Sequence, residues 1–136
     1  MPKRAPRKSV DRARSQNYKN AAEHFFEAAQ IAIEYSYWTA AGVLIVHSAI
    51  AYADAISIKL SGEKSSSANH EDSIVLIEQA VANGESKKNA INQLRRIIEE
   101  KTRVSYSGDL FGEGSIRELW KRLERFQRWA IGILER

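Results

Sequence analysis

Residues 38–60 read WTAAGVLIVHSAIAYADAISIKL, and this stretch decides the fold. It is apolar on every side and charged only at Asp54 and Lys59. A helix of that kind is expected to be enclosed by other helices. About 20 apolar residues would also suffice to span a bilayer. Asp54 well inside the segment and its weakly hydrophobic alanines argue against a membrane. Gly42, Ala49 and Ala53 fall within about 40° of one another, a seam that lets a neighbouring helix approach closely. His47 and Asp54 are the polar exceptions. Seven residues apart, they share a face to within about 20° but are separated by about 10 Å along the axis. They cannot bond each other, so each is expected to find a partner elsewhere, because an unpaired buried charge is costly.

Four other helical segments surround this one. The first is expected over Gln16–Tyr35, capped by Ser15, with Tyr18, Ala22, Phe25, Ala29 and Ile33 on one face. A third is expected over His70–Ala82, ending at Asn83-Gly84. A fourth runs over Lys87–Val104 and a fifth over Glu113–Leu134. The apolar face of the fifth is Ile116, Leu119, Trp120, Leu123, Phe126, Ala130 and Ile133. No segment alternates with period two, so no strand is expected. The pattern predicts an all-α, up-and-down bundle of four to five antiparallel helices in one domain, residues 15–136.

Composition narrows the chemistry. The chain has no cysteine, which excludes disulfides, thiolate metal sites and cysteine nucleophiles and fits a reducing cytoplasm. The net charge of +4 is unevenly spread. Residues 1–14 carry Lys3, Arg4, Arg7, Lys8, Arg12 and Arg14 against Asp11 alone, while 15 basic and 16 acidic groups share the rest. Residues 1–14 therefore read as a basic, flexible arm, either simply solvated or contacting nucleic-acid phosphates. There is no glycine-rich phosphate loop, no HExxH and no GxSxG. His24, His47 and His70 fall in three different helical segments without ligand spacing, so no metal and no cofactor is expected.

The fourth segment supplies partners for the polar pair. Its inward stripe runs Ile91, Leu94, Ile98 and then Lys101, which makes Lys101 the first candidate partner for Asp54. Arg103 and Tyr106 follow. The third segment opens Asn69-His70-Glu71-Asp72. With Asn69 as N-cap, Asp72 occupies the third helical position of a capping box and His70 is left over for a polar site. The fifth segment offers Arg117, Lys121, Arg125 and Arg128 as a basic outer stripe, a candidate nucleic-acid surface.

The order of these features resembles the HEPN domain (higher eukaryotes and prokaryotes nucleotide-binding). The matching pieces are Tyr18-Lys-Asn-Ala-Ala, His47-Ser-Ala-Ile-Ala-Tyr-Ala-Asp54, Lys59-Leu-Ser-Gly62, Asn69-His-Glu-Asp72 and Ile97-Ile-Glu-Glu-Lys101-Thr-Arg-Val-Ser-Tyr106, within residues 15–135. The resemblance implies a helical bundle, often a homodimer, with a polar site near the bundle axis or dimer seam. Many members are metal-independent endoribonucleases in toxin–antitoxin or other defence systems. Others partner a nucleotidyltransferase. The ribonucleases carry R-x(4–6)-H at the end of the fourth helix, with the Arg on phosphate and the His moving the proton of the attacking hydroxyl.

This chain has Lys101 and Tyr106 at those places. Lysine holds phosphate only as a point charge, and tyrosine is a poor base at neutral pH. The expected function is therefore a non-catalytic nucleotide- or RNA-associated module, or a partner subunit of a nucleotidyltransferase or defence protein. The alternatives are a variant ribonuclease built from His47, Asp54, His70, Lys101 and Tyr106, and a structural interaction module. Tyr18, Asp72 and Arg103 are further candidate binding residues.

Overall fold

The computed structural model describes residues 6–66, 70–107 and 111–136, with side chains for all of these except 102–107. The chain is an all-α helical bundle. Its α-helices are α1 (Ser15–Glu34), α2 (Trp38–Ser61), α3 (Glu71–Ala80), α4 (Glu85–Ser107) and α5 (Glu113–Leu134). Helix α2 is the hub and packs against all four others. Its residues 51–58 are buried without a break, as its all-round apolar sequence requires. It is the one described helix long and apolar enough to cross a membrane, and 78% of its most apolar stretch is buried inside the bundle.

Small residues draw α1 and α2 together. Ala22, Ala29, Ala49 and Ala53 have no exposed surface, and Ser48 Oγ donates to the Ala22 carbonyl at 2.8 Å. Ser15 behaves differently from expectation. It is the first residue of α1 rather than its cap, because a 3₁₀ turn at Arg12–Arg14 leads directly into the helix. Its buried hydroxyl instead donates to the Ala55 carbonyl at 2.8 Å, a second tie to α2.

The apolar stripes of α4 and α5 close the core. Ile91, Leu94, Ile97 and Ile98 meet Ile116, Leu119, Leu123, Phe126, Ala130 and Ile133 in one buried cluster. Lys59 then ties α2 to α5 by donating to the carbonyls of Ile133, Leu134 and Arg136 at 2.9, 3.0 and 3.1 Å. Those carbonyls lie at the end of α5, where helical partners run out and a cation is favoured.

No segment alternates with period two and no strand is expected, yet two short ones are present. β1 (Arg7–Ser9) pairs antiparallel with β2 (Glu63–Ser65) in the register Arg7 to Ser65, Lys8 to Lys64 and Ser9 to Glu63. Val10 N–H extends the ribbon by donating to Gly62 O at 2.8 Å. Gly62 permits the turn out of α2, at φ +70° in the left-handed region. Residues 7–14, expected in a flexible arm, thus lie against the body as strand and 3₁₀ turn.

Candidate functional site

The ribbon brings β2 alongside α2, and that placement gives Asp54 its partner. By its place on the inward stripe of the fourth helix, Lys101 is the expected partner. The structure pairs Asp54 Oδ2 with Lys64 Nζ at 3.8 Å, an ion pair too long for a hydrogen bond. Lys64 also sits 5.7 Å from the centre of the Tyr18 ring on α1. Lys8 lies directly across the ribbon from Lys64. Two like charges at paired positions repel. Asp54, which feels the attraction of both, offsets that repulsion. Burial is the stronger influence on the carboxyl, which is only 8% exposed, and pushes its pKa up to about 6 against the pull of the two lysines.

Further along α2 the seam opens. His47, expected in the core, is exposed. The reason is geometric: Thr39, Val43 and His47 recur every four residues, and all three are exposed among the described residues. The His47 ring stacks at a tilt on Phe25 of α1, with centroids 5.6 Å apart. His47 and Lys101 share the walls of a cavity of about 130 Å³ whose apolar side is Gly42, Val43, Val46 and Phe111. The cavity is large enough to admit a phosphate group. Gly42, expected in a helix-packing seam, is the seat of the Phe111 ring, which a Cβ there would strike.

His70 completes the cluster. It precedes α3, and its side chain accepts no capping hydrogen bond from the helix. Helix α3 starts at Glu71, so Asp72 stands at its second position rather than the third, and Asn69 lies outside the described residues. Partial burial lowers the His70 pKa first, and the charges of Lys101, His47 and Lys64 lower it further. Lys101, His47 and Lys64 are therefore all near enough to act on one imidazole. Lys101 has no carboxylate partner among the described residues. Lys101, His47 and Lys64 thus surround His70 and favour its neutral form, with His47 and Lys101 in the cavity wall and Lys64 paired with Asp54.

Of the other candidates, the side chains of Arg103 and Tyr106 lie outside the described residues, though α4 continues through both positions. Tyr18 joins this cluster through Lys64. The basic stripe on α5 divides. Arg117 is taken up by Glu113 at 2.8 Å and covers the Trp38 ring at 5.5 Å. Lys121 is exposed and joins none of the described cavities. Arg125 and Arg128 line a groove against α4. Nothing in the sequence marks Lys64 or Phe111, since both lie between helices, where no periodicity shows an inward side. Among the described residues no group of three or more His, Asp or Glu side chains could hold a metal ion. Compared with protein-family models, curated proteins and solved structures, the chain matches none.

Proposed function

We propose that the cleft between α2, α3 and α4 holds a phosphate group, and that the protein is an HEPN-like, RNA- or nucleotide-associated module without catalytic activity of its own. In this reading it works in the cytoplasm as a homodimer or as the partner of a nucleotidyltransferase or toxin–antitoxin-type defence protein. The observation that carries the reading is the convergence of Lys101, His47 and Lys64 on His70, beside a cavity that admits a phosphate group. Lys101 supplies a point charge without a competing carboxylate, and the two imidazoles supply ring N–H donors. An anion there stabilises protonated His70, so the lowered His70 pKa rises on binding, and the anion binds more tightly as pH falls through the range in which the imidazole takes up its proton.

Following the histidine ring protons by NMR while inorganic phosphate or a mononucleotide is added tests this. The signals of His47 and His70 should shift together, and the shifts should be lost in Lys101→Ala. Unmoved histidine signals at low ionic strength would end the proposal.

A second reading, a ribonuclease with a variant site, draws on one observation. His70 is held neutral beside a lysine, which is the state a general base needs. It would stand in for the histidine that the fourth helix lacks. Labelled RNA incubated with wild type, Lys101→Ala/Tyr106→Phe and His70→Ala decides: cleavage by wild type alone supports it. Equal cleavage by all three, or by none, removes it.

A further inference from the structure

The seam between α4 and α5 holds two grooves of different charge, one mixed and one purely basic. Toward the end of α4 it forms a groove of about 320 Å³ in which Arg96 and Arg122 share the walls with Glu99, Glu100 and Glu118. Toward the start of α4 it forms a separate groove of about 440 Å³ with no acidic side chain in its lining. Here Ser86, Asn89 and Gln93 of α4 face Arg125, Arg128 and Trp129 of α5. Both arginines are exposed, and neither has an ion-pair partner among the described residues. Glu124 precedes Arg128 by four residues, a spacing that permits a helical ion pair, yet does not form one. The Gln93 carbonyl is held by Arg122 at 3.1 Å, which leaves its NH₂ free to donate. The half-buried Trp129 is fixed against the core, with its ring 5.8 Å from that of Phe126.

We propose that this groove is a binding site for single-stranded nucleic acid. One base lies against the Trp129 indole, which accepts any base because every base has a π-face. The amides of Gln93 and Asn89 meet its polar edge. Arg125 and Arg128, three residues apart on one helix face with Cβ atoms about 5–6 Å from each other, hold the flanking phosphates. A volume of about 440 Å³ lies within the usual range for sites that hold nucleotide-sized ligands. An acidic peptide would satisfy the arginines but would leave the indole and the amides unused. The site is separate from the cleft at His70 and does not depend on the reading of that cleft.

The test is fluorescence anisotropy of the 136-residue chain with a fluorescein-labelled oligouridylate, over a series of salt concentrations. Arg125→Gln/Arg128→Gln should flatten the slope of log K against log salt by about 1.4, because a single strand releases about 0.7 counterion per phosphate. At 0.1 M salt that corresponds to a loss of roughly 25-fold in affinity. Oligouridylate should also quench tryptophan emission in wild type. Trp129→Phe should remove the quench and weaken binding about ten-fold, while Trp38 and Trp120 remain as internal controls. The exposed arginines can be exchanged without loss of fold, which circular dichroism verifies. Lys101→Ala separates the two sites: a loss in that variant with none in the arginine variant would place binding in the cleft and overturn the groove. No oligouridylate binding to wild type at low salt, or equal competition by polyglutamate, would overturn it as well.

Discussion

Asp54 is a charge that the fold resists. Its pKa moves from 3.8 to about 6, so the native state prefers the protonated form. The group's stabilising contribution is complete below about pH 4 and is lost as pH rises through about 6. Above that, the ionised carboxylate costs roughly 3 kcal/mol, from about 1.4 kcal/mol per pKa unit. Asp54→Asn should therefore stabilise the protein at neutral pH by up to about 3 kcal/mol and flatten the dependence between about pH 4 and 6. Urea unfolding across that range measures both effects. A variant less stable than wild type at pH 7 would show that the Lys64 pair outweighs burial. Such a cost, retained in a core helix, fits a carboxylate that keeps two lysines in place beside the cleft.

Two glycines give a second prediction at this scale. In Gly42→Ala the new methyl meets the Phe111 ring, so despite the better helix propensity of alanine it should destabilise by about 1–3 kcal/mol. Gly132 in α5 faces open space, so Gly132→Ala should stabilise by about 0.5–1 kcal/mol. Thermal melts of the two variants should move in opposite directions.

At the scale of elements, the helices were legible and the connections were not. The apolar residues of α5 named from sequence are all buried or half-buried, because a stripe recurring at three and four can face only one way. Helix α2 was legible from composition, but the exposure of His47 was not. An all-apolar sequence does not show which side its neighbours leave open. The β1–β2 ribbon was invisible because three polar residues carry no alternation and their partners lie about 56 positions away. Its loss has a predictable cost. Deleting residues 1–9 removes the strand pairing, and at about 0.5–1.5 kcal/mol per hydrogen bond the protein should lose roughly 1–3 kcal/mol. The deletion also takes away Lys8, so the Asp54 pKa should rise further. Carboxyl titration by NMR checks the direction. An unchanged Asp54 would mean that Lys64 alone sets its environment. Removing this segment therefore perturbs the cleft, and a nucleic-acid role for the first residues is better tested by Lys3→Ala/Arg4→Ala.

For the whole molecule, the two proposed sites differ in what they can hold. The cleft takes a phosphate, and the groove takes a base with its flanking phosphates. They lie at opposite ends of α4: Asn89 and Lys101 are twelve residues apart, about 18 Å at 1.5 Å per residue. They also point to different sides of that helix, about 120° apart at 100° per residue. A dinucleotide is too short to reach both, whereas a longer strand can pass round α4 and occupy them together. If both proposals hold, linkage makes the second contact intramolecular and raises affinity without any new contact. For a dinucleotide, the losses in Lys101→Ala and in Arg125→Gln/Arg128→Gln should then combine independently, as expected for sites farther apart than about 10 Å. For a strand long enough to span them, each variant alone should remove the linkage. The triple variant should then lose less than the two losses added as free energies. Titrating oligouridylates of increasing length against the four proteins gives the comparison. Affinity that climbs with length in wild type and stays level in either variant marks one strand bound at two sites. A climb of equal steepness in all four would mean that each site binds its own ligand and that the molecule does not couple them.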